Sequence, residues 1–271
     1  MKITYRISEL VPYINWVYYY FAWQVKEEAE KQRMHAEALA KLQELDAQYQ
    51  VHAVFELFDA RSQDDDIEIY RTQLCPDCGV KHPVCVATIP CLRQQQGNPP
   101  FMCLADFISP KASKLGLFAT TVDIGLETDF DGDVYQKMLT QLLADRLAEA
   151  AAERLHEQVR KEYWGYAKDE NLSIEDMLVE KFQGIRPAVG YPSLPDTSLN
   201  FLLDEILDMK QIGIRLTESG AMKPHASVSG MMISNPKARY FAIGKIGEDQ
   251  LQDYARRRAV PAEVLRKWLN F

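Results

Sequence analysis

Two stretches with helical periodicity bracket a block of β-type segments, and this order restricts the fold more than any other feature of the chain. From Glu27 to about Gln50, the apolar residues Met34, Ala38, Leu42, Leu45 and Tyr49 recur at spacings of 4, 4, 3 and 4, one face of a helix. The second helical stretch runs from about Val134 to Tyr163. Between them, Val54, Phe55, Leu57 and Phe58 predict a strand, Asp64 to Asp66 a turn, and Ile67 to Tyr70 a returning strand, with further strands around Val84 to Ile89 and Leu115 to Val122. Shorter helices are expected at Ser173 to Phe182, behind a Ser173/Asp176 capping box, and at Ser198 to Met209. The segments "SVSGMMIS" and "YFAIGKI" predict two last strands joined by the turn "NPKA". Helices and strands interleave without a βαβ rhythm, which favours an α+β fold over a doubly wound sheet. No repeat, low-complexity tract or Ser/Gly linker marks a boundary. The expectation is therefore one domain over residues 1–271, with a helical segment at about 9–50 packed on an α+β core.

The formal net charge is −8, which argues against a general nucleic-acid or anionic-membrane surface, because both require a basic footprint. The apolar run "VPYINWVYYYFAW", Val11 to Trp23, is far short of the ~20 residues a bilayer requires and follows no signal-peptide pattern. A cytoplasmic protein is expected. Five cysteines, an odd number in 271 residues, do not form a disulfide framework, so reduced thiols are the default.

The stretch "IRPAVGYPSLPD", Ile185 to Asp196, carries prolines at 187, 192 and 195, which fix φ and remove backbone donors. It predicts a stiff loop. Such a loop suits ligand holding, since Arg186 can fork onto a carboxylate, Gly190 permits close backbone approach and Tyr191 offers a π-face to a cation. From the loop alone, a surface connection with a solvated arginine is the favoured reading.

Other candidates are less specific. Cys75-x2-Cys78 with His82 and Cys85 offers four ligands for zinc within eleven residues, a weak candidate without a second CxxC pair; the favoured reading is a hairpin turn with incidental thiols. In the second long helix Met138, Leu142, Asp145, Glu149 and His156 share a stripe, so the two carboxylates either meet a ligand or partner or mark a boundary with water. The run "YARRRA" reads as a solvated helix end. No nucleophile triad, phosphate loop or HExxH pattern is present.

Several separated segments carry a resemblance. "YINW", "DDDIEIYR", "LRQQ", "CLADF", "RKEYWGYAKDENLS", "IRPAVGYPSLPD", "LTESGAMKPHASVSG", "PKARYFAIGKI" and "DQLQDYARR" follow in order from about Glu9 to Trp268. Together they resemble the C-terminal activation domain of cobalamin-dependent methionine synthase, which binds S-adenosylmethionine. The proline loop is similar to the family's RxxxGY motif.

The resemblance implies a single α+β domain around a twisted antiparallel sheet with a groove across it. It implies a repair task, in which an electron from a flavoprotein and a methyl group from S-adenosylmethionine restore methylcobalamin from its oxidised cobalt(II) form. By the same resemblance Arg186 grips the ligand's carboxylate. Pro187, Ala188 and Gly190 supply backbone contacts, Tyr191 approaches the sulfonium, Glu149 and Glu180 match ligand-proximal acids, and Tyr240 with Phe241 match the pair beside the nucleoside. Asp145 matches an acid that receives a histidine released from cobalt, and Thr197 a partner-facing position.

Departures from the family pattern accompany these matches. Asn15 stands where "YIDW" has an aspartate for the ligand's positive end, Thr197 where the family has a histidine, and Thr128 where many members carry an acid. No cobalamin-binding DxHxxG motif, homocysteine zinc site or folate barrel is found in the sequence. The implied role is thus a separate activation module for a cobalamin-binding methionine synthase or another corrinoid protein, not a chain that makes methionine alone. The alternative is a divergent interaction protein with the same fold and weak or lost ligand binding.

Overall fold

The computed structural model describes residues 1–75 and 79–269. In chain order its elements are β1 (Lys2–Arg6), α1 (Ile7–Leu10), α2 (Trp16–Ala22), α3 (Glu28–Leu45), β2 (Gln50–Gln63), β3 (Asp66–Leu74), β4 (Lys81–Pro90), β5 (Ser113–Val122), α4 (Gly125–Thr128), α5 (Val134–Gln158), α6 (Ile174–Leu178), α7 (Leu199–Leu207), β6 (Arg215–Leu216), β7 (Met222–Lys223), β8 (Ser227–Met232), α8 (Glu248–Arg258) and α9 (Ala262–Trp268). The main strand order is β4-β3-β2-β5-β8, with β1 on β2. This is the α+β class with an open antiparallel sheet. The chain forms two compact units. The first comprises Met1–Phe55, Phe118–Phe182 and Asp204–Ser229; the second comprises Glu56–Leu117, Gln183–Leu203 and Gly230–Phe271.

In the first unit, β1 runs antiparallel to the start of β2, from Lys2 opposite Val54 to Arg6 opposite Gln50. The helix expected from the 4-4-3 spacing is α3, and Met34, Ala38, Leu42 and Leu45 are all buried. Helix α5 starts at Asp133, whose carboxylate accepts from the N–H groups of Tyr135 and Gln136 and so satisfies donors that the first turn leaves open. Its buried face is Leu139, Leu143, Leu147, Ala151 and Leu155. Small side chains at Ala148, Ala150, Ala151 and Ala152 allow close approach, and the Thr120 hydroxyl reaches the Ala148 carbonyl at 3.0 Å. Helices α1, α2 and α3 pack on α5. Beyond α5 the chain makes a π-helical turn, Val159–Tyr163, that carries Arg160, fully buried, into a double hydrogen bond with Glu170.

In the second unit, β2, β3 and β4 form an antiparallel meander. Asp59 faces Tyr70 and Gln63 faces Asp66 across a turn in which Asp64 adopts φ +52°. Its core includes Phe58, Ile67, Ile69 and Ile89. Helix α8 packs against β4.

Two expected elements differ. The "YFAIGKI" segment is not a strand: Tyr240–Ile246 has no ladder, because the edge of β8 is already taken by the proline loop, where Ile185 pairs with Ile233 and Ala188 with Gly230. The helix expected to Phe182 stops at Leu178, since Glu180 turns into the left-handed region at φ +61°. The Ser173 cap itself is present, accepting from the Asp176 N–H.

Candidate functional site

The proline loop is fixed along its length. Besides the two bridges to the β8 edge, the Met231 N–H donates to the Pro187 carbonyl at 3.0 Å and the Ile243 N–H to the Pro192 carbonyl at 2.9 Å. Prolines cannot donate, and here their carbonyls serve as the anchors. Gly190 has φ +88°, and its N–H donates to the Leu194 carbonyl at 2.9 Å. A Cβ there would meet only Thr197 Cγ2 at 3.6 Å, so backbone conformation rather than space calls for glycine.

Arg186 is buried, and its main-chain N–H donates to the Tyr240 hydroxyl at 2.8 Å. Tyr191 is 49% exposed and Tyr240 36%, whereas Phe241 is buried with its ring edge-on to Phe107 at 6.3 Å. The second unit therefore brings together Arg186, Pro187, Ala188, Gly190, Tyr191, Tyr240 and Phe241. A buried guanidinium, a carbonyl-lined loop and partly exposed phenol rings suit a ligand with an anionic end, a cationic centre and a flat ring. Thr197, in the same unit, donates through its hydroxyl to the Trp268 carbonyl at 3.2 Å.

The remaining candidates belong to the first unit. Asn15 is the N-cap of α2, its Oδ1 accepting from the Val17 N–H at 3.2 Å. Asp145 and Glu149 lie one turn apart on α5, both half-buried, on the margin of the helix and not on its buried face. Burial pushes the Asp145 carboxyl above the ordinary aspartate range, helped by Glu127 and Glu149 and opposed by Arg146 and His225. Glu180 is exposed beyond the end of α6.

As for metal, Cys75 is half-buried, Cys85 is exposed opposite Tyr70 and His82 lies opposite Gln73; Cys78 lies outside the described residues. Among the described residues no group of three or more His, Cys, Asp or Glu side chains is placed to hold a metal ion.

Residues 6–259 match the family model described as the vitamin B12 dependent methionine synthase activation domain. The chain belongs to this family. A solved structure described as the MetH reactivation domain bound to AdoHcy is 39% identical and superimposes with a TM-score of 0.90, covering 100% of this chain and 89% of that one. In methionine synthase an activation domain works with a cobalamin-binding module. No described helix of this activation domain is long and apolar enough to cross a membrane.

Of the arginine run at the end of α8, expected in solvent, Arg256 is exposed, whereas the activation domain uses Arg257 and Arg258 otherwise. Arg257 bonds Asp66, Asp253 and the Cys91 carbonyl, and Arg258 pairs with Asp196, which is 1% exposed and also accepts from the Tyr254 hydroxyl at 2.8 Å. Burial, reinforced by Asp196, holds the Tyr254 phenol well above its ordinary range. The acid partners Asp66 and Asp196 lie far away in sequence, so no local pattern announces them. The same holds for Cys91, whose thiol is raised by its bond to Cys103 and by burial.

Proposed function

We propose that this activation domain binds S-adenosylmethionine and supports reductive methylation of cob(II)alamin carried by the cobalamin-binding part of a methionine synthase or by another corrinoid protein, with a flavoprotein as electron donor. When bound, S-adenosylmethionine would supply a sulfonium methyl group to the partner's cob(II)alamin, with one electron from the flavoprotein, and would be left as S-adenosylhomocysteine. The observation that carries the reading is the Arg186–Tyr240 link, which holds an arginine and two aromatic side chains, Tyr240 and Phe241, about one anchored loop.

In this reading Arg186 takes the ligand's carboxylate, because a planar guanidinium forks onto two oxygens. The main chain at Pro187, Ala188 and Gly190 lies along the amino-acid portion, with Gly190 admitting close approach. The half-exposed ring of Tyr191 faces the sulfonium. Tyr240 and Phe241 take the nucleoside. The assignment of Asn15, Glu149 and Glu180 to the same ligand is a separate proposal, resting on their match to family positions. Asp145 is assigned the histidine that the partner releases from cobalt; a carboxyl raised by burial suits a group that takes and returns a proton. Thr197 is assigned to the partner-facing side. Free thiols at Cys85, Cys91 and Cys103 support a cytoplasmic setting.

Calorimetric titration tests the reading. Micromolar binding of S-adenosylmethionine and S-adenosylhomocysteine, abolished by Arg186→Ala, is expected. Absence of heat at millimolar ligand overturns it and favours a divergent interaction protein, the reading that Asn15 and Thr197 support, since they stand where the family pattern has an aspartate and a histidine.

A further inference from the structure

The motif "LRQQ" sits on no helix or strand and holds none of the ligand positions assigned above, yet its polar side chains are heavily engaged within the second unit. Arg93 exchanges two hydrogen bonds with the Gln250 side chain, its N–H donating at 2.6 Å and its carbonyl accepting at 2.9 Å. Gln95 accepts from the Gly247 N–H at 2.7 Å and donates to Asp249 at 3.0 Å. Gln94 clasps Met102, receiving the Met102 N–H on Oε1 at 3.1 Å while its own N–H donates to the Met102 carbonyl at 3.0 Å. Its remaining arm, Nε2, donates to the Ala242 carbonyl at 2.8 Å.

Ala242 directly follows the Tyr240–Phe241 pair, in a segment without ladder or helix to hold it. The bonds that fix that segment include the Arg186 N–H to the Tyr240 hydroxyl, the Ile243 N–H to the Pro192 carbonyl, and the Gln94 amide to the Ala242 carbonyl. Only an amide side chain of this length both accepts from Met102 and donates to Ala242, and the Met102 contact sets which way round the amide lies. A glutamate keeps the first contact and sets an oxygen against the Ala242 carbonyl.

We infer that Gln94 is a positioning residue for nucleoside recognition: it touches no ligand and acts by holding the chain that carries Tyr240 and Phe241. The inference rests on the proposed reading for its functional consequence, and its structural part is tested without ligand. In the ligand-free protein, Gln94→Glu should speed hydrogen exchange at the Ile243 amide while leaving the amides of α5 unchanged. In titrations, Gln94→Glu and Gln94→Met should each weaken S-adenosylhomocysteine by roughly three- to tenfold, the range one lost hydrogen bond allows. The same factor should appear with 5′-methylthioadenosine, which lacks the amino-acid end. In a Phe241→Leu background the Gln94→Glu factor should shrink, because both changes act on one face. Unchanged exchange at Ile243, or a factor that persists in full beside Phe241→Leu, overturns the inference. Absence of binding by the unaltered protein instead overturns the proposed function, and leaves the exchange result to decide whether Gln94 holds the segment.

Discussion

The main-chain N–H of Arg186 donates to the hydroxyl of Tyr240 at 2.8 Å across a separation of 54 residues, fixing the proline loop to the chain that follows β8. Tyr240→Phe removes this bond and keeps the ring. One such bond is worth about 0.5–1.5 kcal/mol. A fall in melting temperature of about 2–4 °C is expected by scanning fluorimetry. S-adenosylhomocysteine affinity should fall with it, and a variant indistinguishable from the parent in both measurements would show that the link positions nothing.

Asn15 offers a substitution that separates helix capping from ligand charge. Aspartate caps as well as asparagine, so Asn15→Asp should leave the melting temperature unchanged or slightly raised. If this position meets the ligand's positive end, the added carboxylate contributes about 1 kcal/mol or more at ~4 Å, several-fold in affinity. Similar gains for S-adenosylmethionine and S-adenosylhomocysteine would put the new carboxylate at the ammonium that both carry, and a larger gain for S-adenosylmethionine would put it at the sulfonium. Absence of any gain with either ligand would remove Asn15 from the binding set.

Asp145 makes stability depend on pH in a defined direction. Its folded-state carboxyl is raised, chiefly by burial, so the stability it contributes is full below the ordinary aspartate value and is lost as pH rises through the raised value. An asparagine side chain does not titrate, so Asp145→Asn should be more stable than the parent at pH 7, with the difference closing toward pH ~4. Urea unfolding at the two pH values reads this directly; greater stability of the parent at pH 7 would contradict the assignment.

Arg160 is fully buried, bonded to Glu170 at 2.6 and 3.0 Å, with the Phe182 ring 4.2 Å from its guanidinium. Glu170→Ala leaves that cation without its carboxylate and should cost about 3–5 kcal/mol, as seen for other broken buried pairs. Adding Arg160→Met should restore much of the loss. A Glu170→Ala protein of parental stability in chemical denaturation would mean that Arg160 is compensated elsewhere.

Elements whose cause is local were readable in advance. Met34, Ala38, Leu42 and Leu45 announce α3 because burial of one helix face requires that spacing, and Ser173 announces its helix because a hydroxyl is needed at the first turn. The misreadings share a cause. Tyr240–Ile246 has strand-like residues, but its place beside β8 is occupied by Ile185 and Ala188, a competition between segments that neither pattern contains. Arg257 and Arg258 look like a solvated charge run until Asp66 and Asp196 arrive from elsewhere in the chain. For the site, three prolines foretold a stiff loop around Arg186. Its bond to Tyr240 had no local trace, and the ligand was suggested only by likeness to a family.

The anchoring of the Pro187 and Pro192 carbonyls has a thermodynamic corollary. Because this loop is tied to its neighbours during folding, a molecule arriving there has little chain left to immobilise, and most of the contact enthalpy remains as affinity. Association should therefore be fast and show a small heat-capacity change, scaling with the ligand's own buried surface rather than with any coupled ordering of the protein.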